Sequence, residues 1–194
     1  MKLRQVGVVA VAVLALGACK KKAPEVSPAP AENLEDARAR ARADSIAAAE
    51  AAARRAREEA ERAHAQAVAR TREMLTQMIF FAYDSEALTP EAETILRTKA
   101  EILRANPTIE LRVEGNADER GSTEYNLALG QRRAESVKNF LGGYGIGADR
   151  LSTISYGKER PLVEGNTEEA YAQNRRAEFA VTGGDVTTVP AGIQ

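Results

Sequence analysis

The chain has 194 residues, a net charge of -1, 5% aromatic residues and no Trp. That length suits one ordinary domain with non-globular flanks, and the aromatic shortage implies that part of the chain packs no core. A near-zero net charge excludes a global basic field that would draw in nucleic acid or an acidic membrane surface. One Cys excludes an internal disulfide and a cysteine zinc site. The one His, His64, lies in an Ala/Arg/Glu tract and is expected to be a solvated helix position.

Lys2 and Arg4 precede an apolar run, Val6 to Leu16, that is too short to span a bilayer. Basic start, short apolar run and small residues together read as a secretory signal over residues 1–18. Leu16, Gly17, Ala18 and Cys19 resemble the lipobox of bacterial lipoproteins. The resemblance implies that Cys19 becomes the mature N-terminus and carries a diacylglycerol and an N-acyl chain. Two or more chains anchor stably where one does not. Lys20, rather than Asp, follows the Cys, which by analogy with enteric bacteria implies the outer membrane, facing the periplasm. No other cofactor is expected.

Residues 19–33 form a Pro-containing, apolar-poor stretch, expected to be an extended tether. Residues 34–77 are dominated by Ala, Arg and Glu, with neither Gly nor Pro. Opposite charges sit four apart at Asp36–Arg40, Glu50–Arg54, Arg54–Glu58, Arg55–Glu59, Arg57–Glu61 and Glu58–Arg62. Each such pair supports a helix by about 0.2–0.5 kcal/mol. Large apolar residues are too few for a heptad seam. A single solvated spacer helix is expected, with an Ala-rich coiled coil as the alternative.

Residues 78–182 read as one compact domain. Ile79–Tyr83 is a predicted strand. Residues 88–106 form an amphipathic helix, with Thr89 as N-cap, Pro90 in the first turn and a stripe of Ala92, Ile95, Leu96, Ala100, Ile102 and Leu103. Ile109–Glu114 alternates as a half-buried strand. A polar loop follows over 115–122. A second helix, 123–141, is expected to bury Leu127, Ala134, Val137 and Leu141. Leu151–Tyr156 is a third strand and 168–174 a short helix. Ala177, Phe179 and Val181 mark the inner face of a last strand. This order predicts an α/β sandwich with helices packed on one sheet, preceded by a long solvated helix. Residues 183–194 are expected to form a tail without fixed structure.

The informative stretch runs from Val113 to Ala134. Asp118 sits in a Gly-flanked turn before a helix, and Asn126, Leu129 and Arg133 share one helix face. A carboxylate and a guanidinium on neighbouring surfaces suit a zwitterionic ligand. An ordinary surface of caps and ion pairs is the bland alternative. The segments Phe81–Asp84, Gly115–Gly121, Asn126–Ala134, Ser155–Pro161 and Asn174–Arg176 together resemble the OmpA C-terminal domain family, in the right order over residues 78–182. The resemblance implies an OmpA-like fold and non-covalent binding of peptidoglycan through its diaminopimelate stem peptide. Asp118 would then meet the ligand's amine and Arg133 its carboxylate, with Asp84, Asn126, Leu129 and Arg175 lining or bracing the pocket. Many family members carry His where Asn116 stands here. A TolB-like periplasmic protein is a further implied partner, and an envelope adaptor without wall binding is the alternative function.

No enzyme is expected. Catalysis needs a nucleophile with an adjacent base, a metal or a tuned carboxylate pair; the domain holds no His and no Cys, and Asp118–Glu119 as an acid/base pair is the weaker reading. Residues 78–182 carry 13 Lys+Arg against 17 Asp+Glu. That disfavours a surface tracking phosphates. Changing Cys19 to Ser should leave the protein unprocessed or move it from the membrane fraction to the soluble periplasm, as read by fractionation and immunoblot.

Overall fold

The computed structural model describes residues 33–193. The expected signal, Cys19 and the tether before Asn33 lie outside the described residues. By internal contacts the chain divides into two units, Met1–Glu50 and Ala51–Gln194. In the first, Asn33 caps the opening turn of helix α1 (Leu34–Thr76): its side chain accepts from Glu35 N at 3.2 Å. Residues 33–50 are exposed throughout. His64, in the second unit, is exposed as well.

The second unit holds the remaining elements: β1 (Ile79–Phe80), α2 (Pro90–Ala105), β2 (Glu110–Asn116), α3 (Thr123–Gly143), β3 (Leu151–Gly157), α4 (Glu168–Asn174) and β4 (Arg176–Gly183). The sheet order is β1-β4-β2-β3, with β2 and β3 parallel and the other pairs antiparallel. Helices α2 and α3 cover the sheet's inner face, as the α/β reading requires, over a core of Leu96, Ile102, Leu111, Val113, Val137 and their neighbours. Thr89 caps α2, accepting from Ala92 N, and Pro90 opens it.

Four local expectations need correction. Strand β1 is two residues long rather than five. Phe81 N still donates to Arg175 O at 2.8 Å, but the chain then turns at Asp84, whose φ of 48° is left-handed. Strand β2 runs on to Asn116, into the stretch read as loop. Helix α3 buries Asn126, Leu129 and Arg133 and leaves Leu127 46% exposed, because polar groups hold positions on its inward face. Val181 is exposed, beside the register break between Glu110 and Leu111.

Helix α3 crosses the sheet unusually closely. A Cβ on Gly115 would stand 1.8 Å from the carbonyl oxygen of Gly130, and one on Gly130 would stand 2.3 Å from Ser155 Oγ. Backbone meets backbone at that crossing, so any side chain forces the helix outward. The crossing sets the height of Asn126, Leu129 and Arg133 over the end of β2.

Both flanks of the domain join its core. Leu75 of α1 is fully buried, with Met74 and Val68 packed beside it. Lys99 of α2, in the middle of the expected apolar stripe, is fully buried too. Its ammonium donates to Leu75 O at 2.7 Å and Met74 O at 2.9 Å and lies 4.0 Å over the Phe179 ring. Burial pushes this lysine down to about 7, while the carbonyls and the ring face favour its charge. The segment after β4, expected to be without fixed structure, is fastened at its start. Asp185 pairs with Arg72, and Val186 is buried.

Asn106 does most of that fastening. Its Oδ1 accepts from Thr187 N at 2.9 Å and Thr188 N at 2.8 Å, and its Nδ2 donates to Ile102 O and Thr188 O. It is 1% exposed. Asn106→Ala should therefore cost about 2–4 kcal/mol, because buried partners lose their bonds together. Chemical denaturation would read the loss, and amide exchange at Thr187 and Thr188 should accelerate.

Candidate functional site

One small cavity, about 110 Å³, opens where the end of β2, the following loop and the start of α3 meet the turn after β1. It is lined by Tyr83, Asp84, Asp118, Arg120, Gly121, Tyr125, Asn126, Leu129 and Arg133. Asp84, Asp118, Asn126, Leu129 and Arg133 thus converge on one space, while Arg175 stands behind Asp118.

Arg133 is the deepest of these. It is fully buried, and its guanidinium donates to Ser85 O at 2.8 Å, Asn116 O at 2.8 Å and Ala82 O at 3.1 Å. A guanidinium has five N–H groups. Three are engaged, which leaves one on each Nη. Burial lowers its pKa to about 10, with Asp118 opposing that shift, so the group stays charged at neutral pH and feels the nearby carboxylate. The expected fork for a carboxylate is therefore half spent on the backbone. Arg133 ties α3 to the turn after β1 and to the end of β2.

Asp118 is 5% exposed. Its Oδ1 accepts from Arg120 N at 3.2 Å and Arg120 Nε at 3.3 Å; its Oδ2 accepts from Arg120 Nη2 at 2.5 Å and Arg175 Nη1 at 3.3 Å. Burial pushes the carboxyl up, but Arg120 and Arg175 outweigh it and hold the group below its ordinary range. Such a carboxylate stays charged at neutral pH. It suits an electrostatic partner and not a general acid, and Glu119 beside it is exposed. Among the described residues no acidic, His or Cys cluster could hold a metal.

Arg175 is fixed by Phe81 O at 3.1 Å and by Glu168 at 2.8 Å, so it braces Asp118 from inside. Asn126 donates to Arg120 O at 2.9 Å and holds the loop's backbone. Asp84 accepts from the Tyr125 hydroxyl. Asn116 lies behind Arg133 with its Oδ1 buried and without a partner. Sequence reasoning missed Arg120, Tyr83 and Tyr125. The signal for Arg120 was its place two residues after Asp118 in a tight loop, where an Arg folds back on the carboxylate.

The OmpA family model matches residues 80–175. The peptidoglycan-associated lipoprotein of Haemophilus influenzae is 50% identical over 102 residues, which cover 53% of this chain and 67% of that protein. That of Pasteurella multocida is 48% identical, with 53% and 68% covered. The crystal structure of the peptidoglycan-associated lipoprotein from Burkholderia pseudomallei superposes with a TM-score of 0.54 at 39% identity, covering 55% of this chain and 90% of that one. The chain belongs to the peptidoglycan-associated lipoproteins of the OmpA family. All nine residues lining the cavity fall inside the matched OmpA segment, as does Arg175.

The lowered Asp118 pKa fixes a pH dependence. The unfolded carboxyl takes up its proton near 3.8, the folded one only at lower pH. Stability from this group is present above 3.8 and is lost as pH falls through the folded value. Asp118→Asn should flatten the acid limb of a stability–pH profile below about pH 4, measured by urea denaturation, and leave the slope near pH 7 unchanged.

Proposed function

We propose that the cavity binds peptidoglycan by its diaminopimelate stem peptide, without covalent chemistry. The observation that carries this reading is the placement of Asp118 and Arg133 on one cavity of about 110 Å³. That volume suits an amino-acid head group. The ligand's ammonium would lie on Asp118, and its carboxylate would take the spare N–H groups of Arg133 as charge-assisted bonds. Leu129 would pack on the intervening methylenes. The wider reading follows from the family: a lipid on Cys19 holds the chain in the outer membrane, facing the periplasm, and the domain tethers that membrane to the wall. A role in a Tol–Pal-like system, in contact with a TolB-like protein and in support of division, extends the same proposal.

Arg133→Ala would strip three carbonyls of their donor and so test folding as much as binding. Asp118→Asn keeps the shape and one acceptor oxygen while removing the charge. It should reduce pulldown on purified sacculi about tenfold or more, the scale of one lost charge-assisted bond. Free diaminopimelate should compete with the unchanged protein. Full retention by Asp118→Asn, or no effect of the competitor, removes the assigned site.

A further inference from the structure

The loop between β2 and α3 is a wall between two cavities. Asp118 and Arg120 line the cavity described above, while Ala117 and Glu119 line a second one of about 330 Å³. Lys158, Pro161, Val163 and Asn174 face that second space from across it. With so much room behind it, this side of the wall has few packed neighbours, and hydrogen bonds must hold it. Three successive carbonyls of the loop are engaged. Lys158 Nζ donates to Gly121 O at 2.8 Å and to Glu119 O at 3.4 Å, and Asn126 Nδ2 donates to Arg120 O at 2.9 Å. Gly121 has a φ of 96°, so the backbone bends sharply between the two carbonyls that Lys158 gathers. Those carbonyls bracket Arg120, whose amide and side chain supply three of the four bonds to Asp118. Lys158 is placed in turn by its own segment. Gly157 O accepts from Ala117 N at 2.7 Å, Ser155 Oγ donates to Leu127 O at 2.7 Å, and Thr123 Oγ1 donates to Glu159 at 3.4 Å. A Cβ on Gly157 would stand 2.9 Å from Leu127 N, so the segment lies directly on the start of α3. No residue of Ser155–Pro161 lines the first cavity.

We propose that Lys158 is a positioning residue for wall binding: through the carbonyls of Glu119 and Gly121 it holds the loop, and with it Asp118 and Arg120, against the binding cavity. The proposal rests on the reading of the cavity given above. Lys158 itself does not touch the ligand's space. Without its ammonium, the loop has room to recoil into the second cavity. Arg175 would still hold one oxygen of Asp118 from inside, but the bonds from Arg120 depend on the backbone that Lys158 bolts in place. A site whose competent form is only partly populated binds more weakly by that fraction.

The test compares Lys158→Met, which keeps the apolar stem and loses the donors, with Lys158→Arg, which keeps charge and donors. The probe is the tripeptide L-Ala–γ-D-Glu–meso-diaminopimelate, titrated by calorimetry into the full chain in detergent. Lys158→Met should lose about fivefold or more in affinity, and Lys158→Arg should stay within about twofold of the unchanged protein. The loss should persist at about 0.5 M salt, where the long-range effect of one missing charge is screened away. Amide exchange at Arg120, whose N–H donates to Asp118, should quicken in Lys158→Met by at least the factor lost in affinity. Both variants should unfold in urea near the midpoint of the unchanged protein, since Lys158 lies outside the core cluster. Unchanged affinity in Lys158→Met, a loss that salt abolishes, or a loss with the Arg120 amide as slow as before overturns the proposal. A fallen urea midpoint with affinity kept also overturns it and makes Lys158 a structural residue only. If the unchanged protein does not bind the peptide, the reading of the cavity itself falls and takes the proposal with it.

Discussion

A buried guanidinium needs acceptors, and Arg133 finds three of them by gathering backbone that would otherwise be unrelated. Ala82 and Ser85 come from the turn after β1, Asn116 from the end of β2, and the arginine itself from α3. Without those carbonyls the charge would be expensive to bury. With them, three separate pieces of chain are held at one point, and the cavity is the space left between them. The Gly115–Gly130 crossing brings the helix close enough for this to happen. One residue therefore both braces the fold and shapes the cavity.

Charge around the cavity is layered. Arg133 is buried and fixed to carbonyls, and Arg175 is buried and fixed to a carbonyl and to Asp118; Arg120 and Glu168 sit outside them and are more exposed. Arg120, with Arg175 behind it, keeps Asp118 ionised and in place. Of the contacts Arg120 makes, the one to Glu168 lies at the rim and contributes little on its own.

Much of this was legible in the sequence. Apolar periodicity marks α2, the alternation after Pro107 marks β2, and the cap at Thr89 places a helix start to the residue. The OmpA-like segments bring Asp118 and Arg133 together before any coordinates are known. What stayed hidden has one physical cause: polar residues used as inward-facing groups. A periodicity rule that places apolar residues inward chooses Leu127, while the structure buries Asn126, Leu129 and Arg133. The same rule passes over Lys99 in the stripe of α2. The docking of Asp185–Thr188 was equally silent, since one asparagine amide, a feature without period, holds it.

Lys99 has a mechanical meaning. The carbonyls of Met74 and Leu75 close the last turn of α1, and the lysine that grips them springs from the interior of α2, beneath the sheet. Tension applied along α1 is thus delivered to the middle of the packed layer, and not to a surface loop that could peel away. The two hydrogen bonds, the buried Leu75 side chain and the Arg72–Asp185 pair share that strain at the last turns of α1.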